Sequence, residues 1–187
     1  VNLIVLCVAY LAGSIPFGVI IAKRRGVDIR KQGSGNIGAT NVTRVMGLGA
    51  GLLVLVLDAF KGAVAVMVAT RLSGMDPIIA MAGLAAILGH CFSPFLEFKG
   101  GKGVATALGV FAVIAPALVF VAVGVFLLVG GRWRVPALGS LAGVSAAAAY
   151  AIATGQPGDV IFLAIATLVL LVYTHRANIA KLLTTAL

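Results

Sequence analysis

The 187-residue chain is 61% apolar and 10% charged, with a mean hydropathy of +1.17, against roughly 45–50% apolar and about 25% charged residues in soluble domains. That excludes a water-soluble globular domain, and the alternating segments of a membrane β-barrel are absent. The formal net charge of +9 sits on Lys and Arg between hydrophobic runs, where it reports membrane topology rather than nucleic-acid binding.

The first apolar run covers 2–22. Its basic cluster follows it, whereas a signal peptide carries one ahead, so the run reads as a retained span. Gly13-Ser14-Ile15-Pro16-Phe17-Gly18 interrupts it. Such a break is tolerated in lipid only where protein or a polar cavity re-satisfies the backbone, and small residues packing on a neighbouring helix account for it better than substrate contact. Lys23, Arg24, Arg25, Arg30 and Lys31 then place the first loop in the cytoplasm and the N-terminus outside.

The stretch Gly33-Ser34-Gly35-Asn36-Ile37-Gly38-Ala39-Thr40-Asn41, with Arg44 just beyond, precedes a second helix opening near Gly47. Glycines let successive backbone N–H groups turn inward on an anion. A plain connector needs neither this length nor these amides. The second run, 47–71, carries Asp58 and Lys61 at i and i+3, a spacing at which their heads can meet. An intramembrane charge is a functional candidate, but an internal ion pair that orients helices is the better reading here than direct catalysis.

A third run, 77–96, contains His90 and Cys91. Cys7 and Cys91 show no metal-ligand or redox spacing and read as packing residues. Phe98-Lys99-Gly100-Gly101-Lys102-Gly103-Val104-Ala105-Thr106 then sets two point charges and three glycines before a helix start, again suited to phosphate. It is not a Walker loop, because Gly103 follows Gly101-Lys102 and Leu96 occupies the earlier glycine position.

The run 104–130 holds Pro116 in its middle and is longer than the roughly 30 Å hydrocarbon core requires. Two short helices, about 104–115 going out and 116–130 coming back, fit it better. With that hairpin the loop 131–134 is internal, the turn 155–159 external, and His175, Arg176 and Lys181 internal after the runs 135–153 and 158–174. The expectation is an all-α integral membrane protein: a seven-helix transmembrane bundle, N-terminus outside and C-terminus cytoplasmic, forming one domain over 1–187.

This topology gathers the stretches 13–18, 33–44, 89–103, 131–140 and 174–181 at the cytoplasmic face. His90, His175 and Glu97 are the base candidates there, with His175 favoured because Arg176 and Asn178 accompany it and Ser140 closes a turn on the same side. No arrangement of residues marks a nucleophile for an acyl-enzyme.

Three blocks taken together, Gly-Ser-Ile-Pro-Phe-Gly at 13–18, Gly-Ser-Gly-Asn-Ile-Gly-Ala-Thr-Asn at 33–41 and the run 89–106 from Gly89-His90 to Ala105-Thr106, resemble the signature blocks of the PlsY-type acyl-phosphate:glycerol-3-phosphate acyltransferases. Leu-Asp-Ala-Phe-Lys-Gly at 57–62 and His-Arg-Ala-Asn-Ile-Ala-Lys-Leu-Leu at 175–183 are similar to that family as well. The chain departs from it at Phe92-Ser93-Pro94, where the family reads Phe-Pro, and at Lys181, where Arg is common.

The resemblance implies a bacterial inner-membrane enzyme of phospholipid biosynthesis, with its active site on the cytoplasmic face. It would transfer a fatty acyl group from acyl phosphate to glycerol 3-phosphate, giving lysophosphatidic acid and phosphate. By resemblance Ser34, Arg44, Lys102, Ser140, His175 and Asn178 are the catalytic set. Gly33, Gly35, Asn36, Gly38, Thr40, Asn41, His90, Lys99, Gly100, Gly101 and Gly103 are expected to bind substrate. No metal, organic cofactor, nucleic acid or obligate protein partner is indicated. The rivals are a transporter of a phosphorylated solute, which would place its polar site near the midplane, and a basic scaffold on anionic headgroups, which would need no Asn/Ser/Gly detail.

Overall fold

A computed structural model describes residues 2–185, and all regular structure among them is helical. The chain resolves into two compact units, one ending at Ile114 and one starting at Ala115. Five helices are long and apolar enough to cross a bilayer, and six if the bent pair at the C-terminal end counts as one span. Leu3, Phe60, Phe120 and Leu128 are among many large apolar side chains turned outward, as lipid allows.

Unit 1 begins with α1 (Asn2–Gly13) and α2 (Phe17–Arg24), so the first run is broken where Pro16 stands. A 3₁₀ turn, Ile29–Lys31, leads through the glycine stretch to α3 (Ala39–Met46), then α4 (Leu48–Ser73), α5 (Asp76–Cys91), a second 3₁₀ turn Pro94–Leu96, and α6 (Val104–Ile114). Gly74 closes α4 at φ +62, a left-handed cap that costs glycine nothing, and Pro77 opens α5 in its first turn. The tight turn makes α4 and α5 antiparallel. The start of α4, the end of α5 and the start of α6 therefore share one end of the unit with α3 and the glycine stretches.

Packing runs through small residues, because in lipid close approach replaces hydrophobic drive. Val5, Ala9, Ala65, Ala69, Ala82 and Ala86 join α1, α4 and α5 in one core. Ala22, Ile29, Ile37, Val42, Ala50, Val54 and Leu96 form a second beneath the 33–38 loop.

Unit 2 holds α7 (Pro116–Trp133), α8 (Pro136–Ala153), α9 (Gly158–Thr174) and α10 (Arg176–Thr185). Each of α7 and α8 opens on a proline, and α7 packs on α8 and α8 on α9. Between α9 and α10 the axis bends by 59°.

The expected break ahead of Pro116 is present, at Ala115. Two expectations need correction. The helix after the break is not a short one ending near 130: Gly130, Gly131, Arg132 and Trp133 continue it to 18 residues, and Arg134 ends it in a left-handed turn at φ +54. Ala39, Thr40 and Asn41, read as the end of the glycine stretch 33–41, instead open α3.

Candidate active site

Asn41 organises the first glycine stretch. Its side chain is 2% exposed and its Oδ1 accepts from the Ser34 backbone N–H at 2.7 Å. Its Nδ2 donates to the carbonyls of Asn36 at 2.8 Å and Gln32 at 3.0 Å, with Ile29 at 3.3 Å. Two N–H donors and one oxygen are thereby spent on the loop, so Asn41 shapes the place where an anion would sit. Gly33, at φ +59, must be glycine on two counts: the conformation, and the collision a Cβ would have with Asn41 Oδ1. Asn36 Oδ1 accepts from the Gly38 N–H at 2.8 Å, an Asx turn that sets the entry to α3.

That helix starts after Gly38 with no side-chain cap, so its first backbone donors point out of the end of the helix. Ser34, Thr40 and Arg44 are exposed around it, and Gly35 is half-buried. Arg44 Nη1 lies 3.5 Å from Asn41 Oδ1, which ties Ser34, Asn41 and Arg44 into one cluster.

The second glycine stretch is fastened to the end of α5. The last carbonyls of a helix lack intrahelical partners. Here the Gly100 N–H donates to the Cys91 carbonyl and the Gly101 N–H to the His90 carbonyl, each at 3.0 Å. A Cβ on Gly100 would strike the His90 carbonyl, and one on Gly101 the His90 ring. Just ahead, Glu97 and Phe98 both take left-handed backbone, φ +53 and +60, a rare conformation for such residues. The Phe98 N–H to Ser93 carbonyl bond at 2.9 Å helps to hold it. Gly103, at φ +86, leads into α6. Lys99 is exposed and Lys102 half-buried.

Burial, and then the positive charge of Arg44, push the Lys102 ammonium below the ordinary lysine range. The structure thus brings two cations from separate segments close enough to repel. An anion between them relieves that repulsion, and a phosphate fits both a guanidinium fork and an ammonium.

In unit 2, α8 and α9 are packed antiparallel across a short turn, so the start of α8 and the end of α9 lie at the same end. Ser140 stands in the first turns of α8, its Oγ donating to the Pro136 carbonyl at 2.9 Å. His175 caps α9 and is 2% exposed. Its Nδ1 is 2.8 Å from the Leu171 carbonyl. A carbonyl only accepts, so Nδ1 carries a proton, and in a neutral ring the lone pair would be on Nε2. Asn178 is held in the first turn of α10 by its N–H to the His175 carbonyl at 2.8 Å.

His90 is buried, and its ring turns into unit 1. Asp58 and Lys61 are likewise buried, with Lys61 Nζ 2.7 Å from Asp58 Oδ1. Lys61 Nζ also donates to the Ile15 carbonyl at 2.7 Å, and Ser93 Oγ to the Ser14 carbonyl at 2.7 Å. The two carbonyls exposed by the break between α1 and α2 are thus satisfied by side chains from α4 and from the departure at Ser93. An open groove of about 500 Å³ lies toward the other end of α4, lined by Val64, Met67, Val68 and Val113 among others, and its walls suit lipid rather than an anion. Among the described residues no cluster of His, Cys, Asp or Glu could hold a metal.

Sequence reasoning missed the loop-holding role of Asn41 and the reach of Ser93. An amide that braces a loop and one that binds a ligand use the same atoms, and nothing in spacing separates them.

The family model described as glycerol-3-phosphate acyltransferase matches residues 3–185. A glycerol-3-phosphate acyltransferase of Myxococcus xanthus is 49% identical over 175 residues, covering 92% of this chain and 91% of the relative. One of Aquifex aeolicus is 45% identical over 182 residues, covering 94% and 92%. Among solved structures, the crystal structure of PlsY (YgiH), an integral membrane glycerol 3-phosphate acyltransferase, is similar in two forms. Its glycerol 3-phosphate form superposes with a TM-score of 0.93 at 44% identity, covering 98% of this chain and 92% of that one. Its lysophosphatidic acid form gives 0.91 at 43% identity, with the same coverage.

Proposed function

The chain belongs to the glycerol-3-phosphate acyltransferase family and is a membrane acyltransferase, and we propose that acyl phosphate is its donor and that its charged glycine loops bind the reactants' phosphates. It acts in phospholipid biosynthesis, and the transporter alternative is set aside. The observation that carries the phosphate-binding reading is the nearness of Arg44 to Lys102, whose ammonium is held down by burial and by that guanidinium. Both substrates then carry phosphate. The Ser34 to Asn41 loop and Lys102 take phosphate, and Arg44 positions glycerol 3-phosphate with Ser140, His175 and Asn178.

Acyl phosphate is a mixed anhydride with a good leaving group. Holding it beside a hydroxyl and neutralising its charge supplies much of the rate without a protein nucleophile. The acceptor hydroxyl attacks the acyl carbonyl carbon, the bond to phosphate oxygen breaks, and inorganic phosphate leaves. The hydroxyl proton passes to His175 Nε2 or to a substrate phosphate oxygen. With Nδ1 engaged by Leu171, Nε2 is the ring atom that can take it. His175→Ala then lowers kcat far more than it raises KM, whereas a mainly KM effect makes His175 a binding residue.

The basic clusters support seven spans, with the N-terminus outside, the C-terminus inside and the glycine loops at the cytoplasmic face of a bacterial inner membrane. The short α6 counts as one span and α9 with α10 as another. The activity is assigned to the whole chain as one domain, without a protein partner.

The test is acyl transfer by purified protein to radiolabelled glycerol 3-phosphate, with palmitoyl phosphate, palmitoyl-CoA or palmitoyl-ACP as separate donors. Lysophosphatidate from palmitoyl phosphate alone, sharply reduced but still measurable in folded Ser34→Ala and Lys102→Ala protein, supports the reading. Product from a thioester donor overturns the donor assignment, and undiminished rates in both variants overturn the site.

A further inference from the structure

Behind the Lys102 loop lies a polar cluster that the acyl-transfer step does not use. Asp58, Lys61 and His90 are 2%, 4% and 4% exposed, in helices long and apolar enough to cross a membrane. Ionisable groups in that setting are costly unless partnered, and they are functional candidates by default. Lys61 and Asp58 meet at 2.7 Å. His90 Nδ1, which has no hydrogen-bond partner among the described residues, stands 3.6 Å from Asp58 Oδ1. That is within ion-pair reach but long for a hydrogen bond.

The other side of His90 faces the loop. Its carbonyl accepts from the Gly101 N–H at 3.0 Å, and its ring fills the space where a Gly101 side chain would begin. Gly101 is the residue before Lys102. The His90 ring therefore stands between Asp58 on one side and the backbone just ahead of Lys102 on the other. Lys61 fixes Asp58 while also donating to the Ile15 carbonyl at 2.7 Å. The cluster thus links α4, α5, the broken first span and the loop.

We propose that Asp58, Lys61 and His90 are positioning residues for Lys102: a buried polar brace in which the His90 ring and carbonyl seat the Gly100-Gly101 backbone and so set where the Lys102 ammonium meets phosphate. This rests on the reading of Lys102 as a phosphate ligand. None of the three touches substrate. Their contribution passes through one side chain, and that makes it separable from a general role in stability.

The separating experiment is a double-mutant cycle on the full-length protein, with His90→Asn, Lys102→Ala and the pair. It reads kcat/KM with palmitoyl phosphate and the inhibition constant of inorganic phosphate. His90→Asn is expected to cost about tenfold in each when Lys102 is present, and under about twofold when Lys102 is already Ala, because residues that act through one another are not additive. Losses that multiply overturn the brace and leave only a packing role.

Should His90→Asn fail to give folded protein, Gly101→Ala carries the same cycle. Gly101 lies in the loop outside every helix, and its new methyl drives the loop off the His90 ring. If Lys102→Ala alone changes neither quantity, the phosphate role of Lys102 falls and the brace with it, an outcome distinct from multiplied losses.

Discussion

The 33–38 loop is held by one neutral side chain, Asn41, which reaches back from α3 to a backbone N–H and three carbonyls. The 98–103 loop is held by its own backbone, docked on the last carbonyls of α5 above a buried ionic cluster. Both present glycines and a cation at the same end of unit 1, but their supports differ in kind. An amide brace is local and can be lost without leaving a charge behind. An ionic brace lies deep among the helices, where losing one member strands the other in a low-dielectric interior.

The largest predicted effect follows from that difference. Lys61→Ala leaves the Asp58 carboxylate buried without its ammonium and the Ile15 carbonyl without its donor. The expected cost is about 3–5 kcal/mol, read as a fall in Tm in detergent together with loss of activity. If Lys61→Ala melts within a degree or two of wild type, the second loop does not stand on an ionic support and the contrast collapses.

Next in size is Asn41→Ala, which leaves the Ser34 N–H and several carbonyls to water. The expected loss is about 2 kcal/mol, with a roughly tenfold rise in KM for glycerol 3-phosphate as the loop loses its shape. Asn41→Asp sharpens the test. It can still accept from Ser34 but can no longer donate, and it turns an anion toward three carbonyls, so it should be no better than Ala. An Asp variant with wild-type kinetics would mean that the Ser34 contact alone holds the loop.

The helices were legible in the sequence because hydropathy and proline are local signals. Pro116 marks the break at Ala115, and Pro16 and its neighbouring glycines mark the interruption of the first span. What stayed hidden depends on neighbours distant in the chain. α3 is too short and too polar to announce itself beside a glycine stretch. The continuation of α7 through Gly130 and Gly131 overrides a propensity against helix that each glycine carries. At the site, the glycines and cations were legible by type, and the Asp58 to Lys61 spacing predicted their pairing. The inward turn of His90 was not, since a histidine at a helix end reads the same whether it faces a ligand or a buried carboxylate.

The smallest predicted effect concerns charge alone and belongs to the second loop. Burial and Arg44 hold the Lys102 ammonium below the ordinary lysine range. A bound phosphate stabilises the ammonium and raises its pKa. Anion affinity is therefore full below the pKa of the empty site and declines as pH rises through it toward the pKa of the occupied site. Because the empty-site value is depressed, kcat/KM for glycerol 3-phosphate should begin to fall at a lower pH than a solvated lysine would allow. The substrate's own phosphate is fully ionised well before that window, its second pKa being near about 6. Lys102→Arg should remove the alkaline decline, since a guanidinium keeps its charge throughout, even if its absolute rate is several-fold lower. The same decline in Lys102→Arg protein would assign the titration to another group and leave the first loop, whose Asn41 brace carries no charge, as the main phosphate contact.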